Sequence, residues 1–182
     1  MKYYKVLDGN KSANGGSYKW SLPVKNEDGS WTPGEWSTPV EGELVACSNG
    51  YHLADAQQLA QWLDKDIYEA EGEEMQLADD KTKWVCRRAR LLRKVEAWND
   101  RTARLFAVWC AREALKLIEK PDPRSVAACD VAERYANGEA TYDELSAARD
   151  AAGAAAWDAA GDAARAAAWA AQSERLLEML GE

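Results

Sequence analysis

The chain of 182 residues is poor in the side chains that build metal centres and disulfide frameworks. It has one histidine, and no two of its four cysteines form a CxxC pair. Structural zinc sites need clusters of cysteine and histidine at short spacing, so we expect no metal and no other cofactor. We expect four unpaired thiols, mostly buried, as is typical of a cytoplasmic protein.

Long apolar runs are also missing. No window approaches the roughly 18 apolar residues of a membrane-spanning helix, and the opening MKYYKVLDG lacks the apolar stretch of a signal peptide. We therefore expect no membrane partner and a cytoplasmic location. The net charge is −8, with most of the acidity in the second half of the chain. Because this sign repels phosphates, we expect no nucleic-acid partner.

Phenylalanine occurs once, whereas tryptophan occurs nine times, and the first half of the chain reads as strands and turns. A turn-rich segment at 26–39 holds Trp31 and Trp36, which either grip a ligand or pack over a sheet edge. Residues 1–97 are predicted to form a small mixed-sheet α+β domain. Its predicted strands are 2–7, 17–22, 43–48, 67–70 and 84–95, the last of which could instead be helical, and its predicted helix is 55–63.

Residues 98–182 are predicted to form an α-helical domain, which makes the fold class α+β. One helix begins at Asn99 or Asp100 and ends near Glu119. A second helix begins after Asp122 and stops at Gly138, and Thr141 and Glu144 form a capping box for a third. The third could extend as a long alanine-rich C-terminal helix as far as Leu180.

The alanine-rich segment at 146–172 has a four-residue repeat of bulky, small and cationic side chains. On a helix of about 3.6 residues per turn, positions four apart share one slowly winding stripe. The stripe has two notches, two rings and two cations, and it holds no recognisable catalytic group. We interpret it as a surface that packs against another helix or binds a partner, formed by Arg149, Gly153, Trp157, Gly161, Arg165 and Trp169.

The helical half contains the run RLFAVWCARE at 104–113, then ANGE at 136–139, then ELSAAR at 144–149 and the alanine repeat. Over about residues 100–175 the chain resembles a family of immunity proteins of bacterial toxin systems, which is also found in phage genomes. The resemblance implies that the protein neutralises a toxin by binding it.

The N-terminal half contains CSNGYH at 47–52, preceded by YKVLDGN and followed by YEAEGE. This resembles the C-x-x-G-[FY]-H motif of an uncharacterised small domain of phages and bacteria, and it implies no known chemistry. His52, with Tyr51 beside it, could contact a ligand or act in catalysis, because imidazole titrates near neutral pH. It could equally be a structural histidine after a glycine turn.

Opposite charges follow one another along the chain. Residues 64–80 contain eight acids and one lysine, whereas residues 81–94 contain seven basic residues and no acid. The basic run, with Arg88 and Arg90 at its centre, could bind an anion or RNA. Alternatively its members pair across neighbouring strands with glutamates; the candidates are Glu69, Glu71, Glu73 and Glu74.

Three functions are consistent with these patterns. The first is a non-enzymatic inhibitor, of immunity type or from a phage that blocks host defence, whose partner is a toxin or a host defence component. The second is a ligand- or nucleotide-binding module, or a small enzyme, built around Tyr51, His52 and the 87–94 cluster. The third is a structural homo-oligomer held together by the alanine-rich helix. We favour the first, and we expect no catalytic residues.

Overall fold

The structure, a computed structural model, describes residues 1–153 and 172–181. The chain divides into two compact units, Met1–Trp98 and Asn99–Glu182. The first contains an antiparallel sheet and the second contains helices, which confirms the predicted α+β class. The nine strands are β1 (Tyr3–Asp8), β2 (Lys11–Ser12), β3 (Val24–Lys25), β4 (Trp31–Thr32), β5 (Tyr51–Asp55), β6 (Asp66–Glu73), β7 (Gln76–Leu77), β8 (Trp84–Cys86) and β9 (Arg88–Lys94).

Seven strands form the main sheet. Its order is β7-β8-β5-β1-β6-β9, with β2 also paired to β1, while β3 and β4 form a separate hairpin. Every pairing is antiparallel. Apolar residues alternate along these strands and bury one face in a core. That core contains Leu7, Trp20, Leu53, Tyr68, Ala70, Cys86, Ala89 and Leu91.

Three predicted elements of the first unit are wrong, and the predicted strand 84–95 is instead two strands, β8 and β9, which pair with different neighbours. Residues 17–22 form no strand: Lys19 makes one isolated bridge with Lys11, and the aromatic Trp20 is buried for packing instead. Residues 43–48 lead into a tight turn, in which the N–H groups of Ser48 and Asn49 donate to the carbonyl of Val45. The segment 55–63 contains only a single 3₁₀ turn at Leu59–Gln61, because its apolar spacing covers too few turns for an α-helix.

The second unit has helices α1 (Asp100–Lys116), α2 (Pro123–Ala136) and α3 (Tyr142–Gly153), and residues 172–180 are also helical. The predicted caps are confirmed. Asn99 caps α1, and Asp122 caps α2 with proline at the first turn. Thr141 and Glu144 exchange hydrogen bonds at the start of α3. Continuity of the C-terminal helix across residues 154–171 lies outside the described residues.

The buried side chains of the helical unit include Phe106, Val108, Leu145, Leu176 and Leu180. All four cysteines of the chain are free thiols, of which Cys86 and Cys129 are buried and Cys47 is exposed. Among the described residues, no helix has the length and apolar character needed to cross a membrane.

Candidate functional site

A gap in the pairing of β1 opens a cavity in the first unit. Along one edge β1 pairs with β6 from Tyr3 to Leu7. Along its other edge β5 pairs only with the first two residues, Tyr3 and Tyr4, and β2 pairs only with Leu7 and Asp8. Lys5 and Val6 therefore lie in a fork between β5 and β2. A cavity of about 460 Å³ opens there.

The loop at 13–18 forms one wall of this cavity. Its Asn14 and Gly15 both adopt left-handed backbone angles, with φ of 57° and 84°, so the chain turns sharply after β2. The loop is held at two points. The N–H of Ala13 donates to the carbonyl of Val6 at 3.2 Å, and Asn14 Nδ2 donates to the carbonyl of Trp62 at 3.2 Å. The wall facing the fork is thus anchored rather than free.

Lys5 projects into the fork from the centre of β1. Its ammonium group donates to the carbonyl of His52 at 3.0 Å and lies 5.3 Å from the centroid of the Trp20 ring. No carboxylate of the described residues forms an ion pair with it. Burial lowers the pKa of Lys5 to about 8, an effect that the nearby Cys86 only partly opposes. A measurable fraction of this amine is therefore neutral at physiological pH.

His52 is held in one orientation by the backbone of the turn that precedes it. Its Nε2 accepts a hydrogen bond from the N–H of Cys47 at 3.0 Å, so the neutral ring has its proton on Nδ1. Burial, followed by the charges of Lys5 and Lys83, lowers the pKa of His52 to about 4, with Asp80 opposing the shift. The imidazole is therefore neutral at physiological pH and offers an N–H donor.

Lys83 supplies a second cation to the cavity wall. The residue is only 7% exposed, and its ammonium group lies 5.0 Å from the Trp62 ring centroid. It lies 3.4 Å from Thr82 Oγ1 and 3.5 Å from Asp80 Oδ2, so its contact with the carboxylate is long. A cation that is buried with such weak compensation favours a negatively charged neighbour.

Aromatic rings surround the same cavity. Tyr18 and Tyr51 meet edge to face with centroids 4.9 Å apart, and Trp20 contacts both rings. The hydroxyl of Tyr51 donates to the carbonyl of Thr38 at 2.9 Å. Tyr51 therefore contributes an apolar ring to the wall while its hydroxyl bonds to the backbone. The structure thus brings together two of the predicted ligand contacts, Tyr51 and His52.

The other two predicted ligand contacts lie elsewhere. Arg88 and Arg90 belong to β9 and do not line the cavity. Their guanidinium groups form ion pairs with Glu73 and Glu71 on β6, and both lie 4.8 Å from the ring centroid of Trp36. Cross-strand pairing of the basic run is confirmed, and Trp36 packs over the sheet. The remaining pairs are Arg87–Glu74, Arg93–Glu69 and Lys94–Asp66.

Of the predicted partner-binding stripe, the structure places Arg149 on α3. Arg149 lines a groove of about 190 Å³ among the helices, together with Arg104, Tyr135 and several alanines. Gly153 is the last described residue of α3. Trp157, Gly161, Arg165 and Trp169 lie outside the described residues.

Sequence reasoning missed both lysines of the cavity. A usable signal exists for Lys5, because alternation along β1 places it on the same face as Tyr3 and Leu7, which pack in the core. A lysine at such an inward position indicates either a buried pairing or a site. No comparable local signal exists for Lys83, which reaches the cavity through the pairing of β8 with β5.

Within the described parts of the chain, no group of three or more histidine, cysteine, aspartate or glutamate side chains could hold a metal ion. Comparison of the chain with protein-family models, with curated proteins and with solved structures finds no match.

Proposed function

We propose that the N-terminal unit is a binding module for a small anionic ligand, such as a short carboxylic acid or a phosphate. One observation supports this above the others. Among the described residues that line the cavity, two are lysines and none is acidic, although the chain as a whole has a net charge of −8. An anion would offset the charge of both ammonium groups in a partly desolvated site.

The remaining wall suits the same class of ligand. His52 offers an N–H donor, and Ser12, Ser17 and Ser48 place hydroxyl-bearing residues around the fork. The rings of Trp20 and Trp62 contact the two cations. Among the described residues no carboxylate pairs with Lys5, and Lys83 has only its long contact of 3.5 Å with Asp80. A site with a few oriented polar groups among aromatic walls is typical of small-molecule pockets.

The single histidine makes the proposal directly testable by NMR. Long-range ¹H–¹⁵N spectra of the full chain contain one imidazole, that of His52. Oxalate and inorganic phosphate would be titrated separately, so that the two kinds of anion are distinguished. We expect a saturable shift of the ring signals with at least one of them. We also expect the pKa of His52 to rise, because the anion offsets the cations that lower it.

Two variants serve as test and control. Lys83→Gln removes one cavity cation and should weaken binding about tenfold or more, whereas Arg90→Gln removes a cation outside the cavity and should not. If neither anion moves the His52 signals at millimolar concentration, the proposed function is wrong. Equal weakening by both variants would show a general charge effect and would also count against the site.

We also propose, for the helical unit, the immunity-type role, in which it binds and blocks a toxin or a host defence component in the cytoplasm. The support is the sequence resemblance over about residues 100–175 and the position of Arg149 and Arg104 at one groove.

The test of this role is protection of cells that co-express the product of the neighbouring gene. Protection should survive His52→Ala and be lost in Arg149→Glu with the helical content unchanged. The reverse pattern would reject this role, and solution molar mass would identify a homo-oligomer.

A further inference from the structure

The amine of Lys5 occupies an unusual position for a lysine on a central strand. It lies between two strand pairings, lines a cavity, and forms no ion pair with a carboxylate of the described residues. Its partners are a carbonyl, that of His52 at 3.0 Å, and the face of the Trp20 ring. Neither partner donates a hydrogen bond to the nitrogen, so the lone pair of the neutral amine stays free to react. Lysine in such surroundings is a nucleophile for carbonyl compounds.

We propose that Lys5 forms a reversible imine with a 2-oxo acid or an aldehyde acid bound in the cavity. This rests on the proposed function, because the carboxylate of such a compound is the anion that Lys83 and His52 would hold. A carbonyl group adjacent to that carboxylate then lies at the fork, where the Lys5 nitrogen can attack it. The Cys47 thiol also lines the cavity, but its adduct with a carbonyl compound is not an imine and is not trapped by cyanoborohydride. The proposal therefore narrows the ligand class from any small anion to a carbonyl acid.

The chemistry balances without a further reactant. The lone pair of the neutral amine attacks the carbonyl carbon, and the carbonyl oxygen takes up a proton to give a carbinolamine. Loss of that oxygen as water, together with the remaining nitrogen proton, leaves a carbon–nitrogen double bond. The net change is one amine plus one carbonyl giving one imine plus one water, and hydrolysis reverses it.

The surroundings of Lys5 favour the neutral amine. The titratable groups that face it are His52 and Tyr51 on β5, Tyr68 opposite it on β6, Cys86 and Lys83 on or next to β8, and Tyr18 in the loop after β2. None is a carboxylate, and the Cys86 thiol stays protonated because burial raises its pKa to about 12. With a pKa of about 8, roughly a tenth of Lys5 is neutral at pH 7, against well under a hundredth for an ordinary lysine.

Reductive trapping tests the proposal on the full-length protein. Glyoxylate would be added with cyanoborohydride at pH 7, and the reduced adduct, one carboxymethyl group, would be located by peptide mass spectrometry. Lys65 is the internal reference, because it is exposed and its hydrogen bond to Asp8 raises its pKa. We expect Lys5 to be labelled at least about tenfold faster than Lys65, with a rate that saturates in glyoxylate.

Two further measurements separate reactivity from structure. Lys5→Arg retains a cation and a donor to the His52 carbonyl but removes the nucleophile, so oxalate binding should persist while the label at position 5 disappears. In the parent protein, oxalate should suppress labelling of Lys5 and leave Lys65 unaffected, which does not depend on any variant folding.

The possible failures are distinguishable. If oxalate binds but glyoxylate labels Lys65 and spares Lys5, imine formation is wrong and the anion site stands. If oxalate does not bind and Lys5 is not labelled, the proposed function and this inference both fail. Labelling of Lys5 that oxalate does not suppress would show a reactive amine outside the anion site and would also overturn the inference.

Discussion

The neutral state of His52 makes the stability of the N-terminal unit depend on pH in a defined window. In the folded protein the pKa of His52 is lowered to about 4, whereas in the unfolded chain it is near 6.5. As the pH falls below 6.5, the unfolded chain binds a proton that the folded protein does not accept. The stability contributed by neutral His52 is therefore fully present above pH 6.5 and is lost progressively as the pH falls towards 4.

The size of the effect follows from the two pKa values. A lowering from 6.5 to about 4 corresponds to at most about 3.5 kcal/mol, at roughly 1.4 kcal/mol for each pH unit. The imidazole is only partly buried, so water screens its interactions and we expect about 1 to 1.5 kcal/mol by pH 4.5. Paired carboxylates such as Glu69, whose pKa Arg93 lowers, contribute their own losses mainly below pH 4.5.

Urea unfolding at pH 7.5 and pH 4.5 would measure the effect, with tryptophan fluorescence as the signal. The matched control is His52→Gln, whose amide oxygen can accept from the Cys47 N–H but does not titrate. Between the two pH values the parent should lose about 1 kcal/mol more stability than this variant. Equal losses in the two proteins, or an NMR-measured pKa of His52 near 6.5, would refute the reasoning.

Three other perturbations have expected outcomes. Lys5→Met should stabilise the protein by about 1 kcal/mol at pH 7, because burial penalises the charged amine. Denaturant titration should show this gain shrinking as the pH rises from 8 to 10.5, because the folded parent protein then carries a neutral amine. Gly50→Ala should lower the free energy of unfolding by about 2–3 kcal/mol in the same assay, because its Cβ would lie 2.5 Å from a Val85 methyl group. The control Gly42→Ala adds only backbone strain and should lower it by about 1 kcal/mol. Alkylation followed by mass spectrometry should show no disulfide and should label exposed Cys47 well before Cys86, whose pKa burial raises.

Local signals predicted the helical unit well. The caps at Asn99, Asp122 and Thr141 depend on side chains that reach only two or three residues along the chain, and each cap appears where its sequence predicts. The start of a helix is therefore decided by neighbours in sequence. The alanine-rich stripe remains a prediction, because most of its residues lie outside the described part.

Nonlocal packing decided the elements that the sequence misassigned. The aromatic residues at 17–22 favour a strand by propensity, but Trp20 is used to bury the core and to donate from Nε1 to Ser12 Oγ at 2.8 Å. The apolar Leu59 suggested a helix, yet it is a fully buried residue of a single turn. In both segments, tertiary contacts outweigh a local signal: strand propensity at 17–22 and a short helical spacing at 55–63.

The candidate site could be predicted only in part, for the same physical reason. His52 was identifiable because it is the only histidine and follows a glycine turn. Lys5 was not, because its significance depends on which strands lie on either side of β1 and where each pairing stops. That information is contained in the registers of β2 and β5 against β1, which are set by residues up to about fifty positions away.

The interruption of the sheet and the chemistry of the cavity have a common origin. A continuous β1–β5 ladder would place a main-chain donor opposite the carbonyl of His52, and a lysine at position 5 would then be buried without a partner. Because the strands separate after Tyr4 and Ala54, the Lys5 ammonium group takes that donor's place at 3.0 Å. The same separation opens the space into which a ligand would fit. Burial lowers the pKa of Lys5, so an apolar side chain at this position would serve the fold at lower cost. This cost, at the interrupted edge of a central strand, is the reason that we propose a ligand for the cavity.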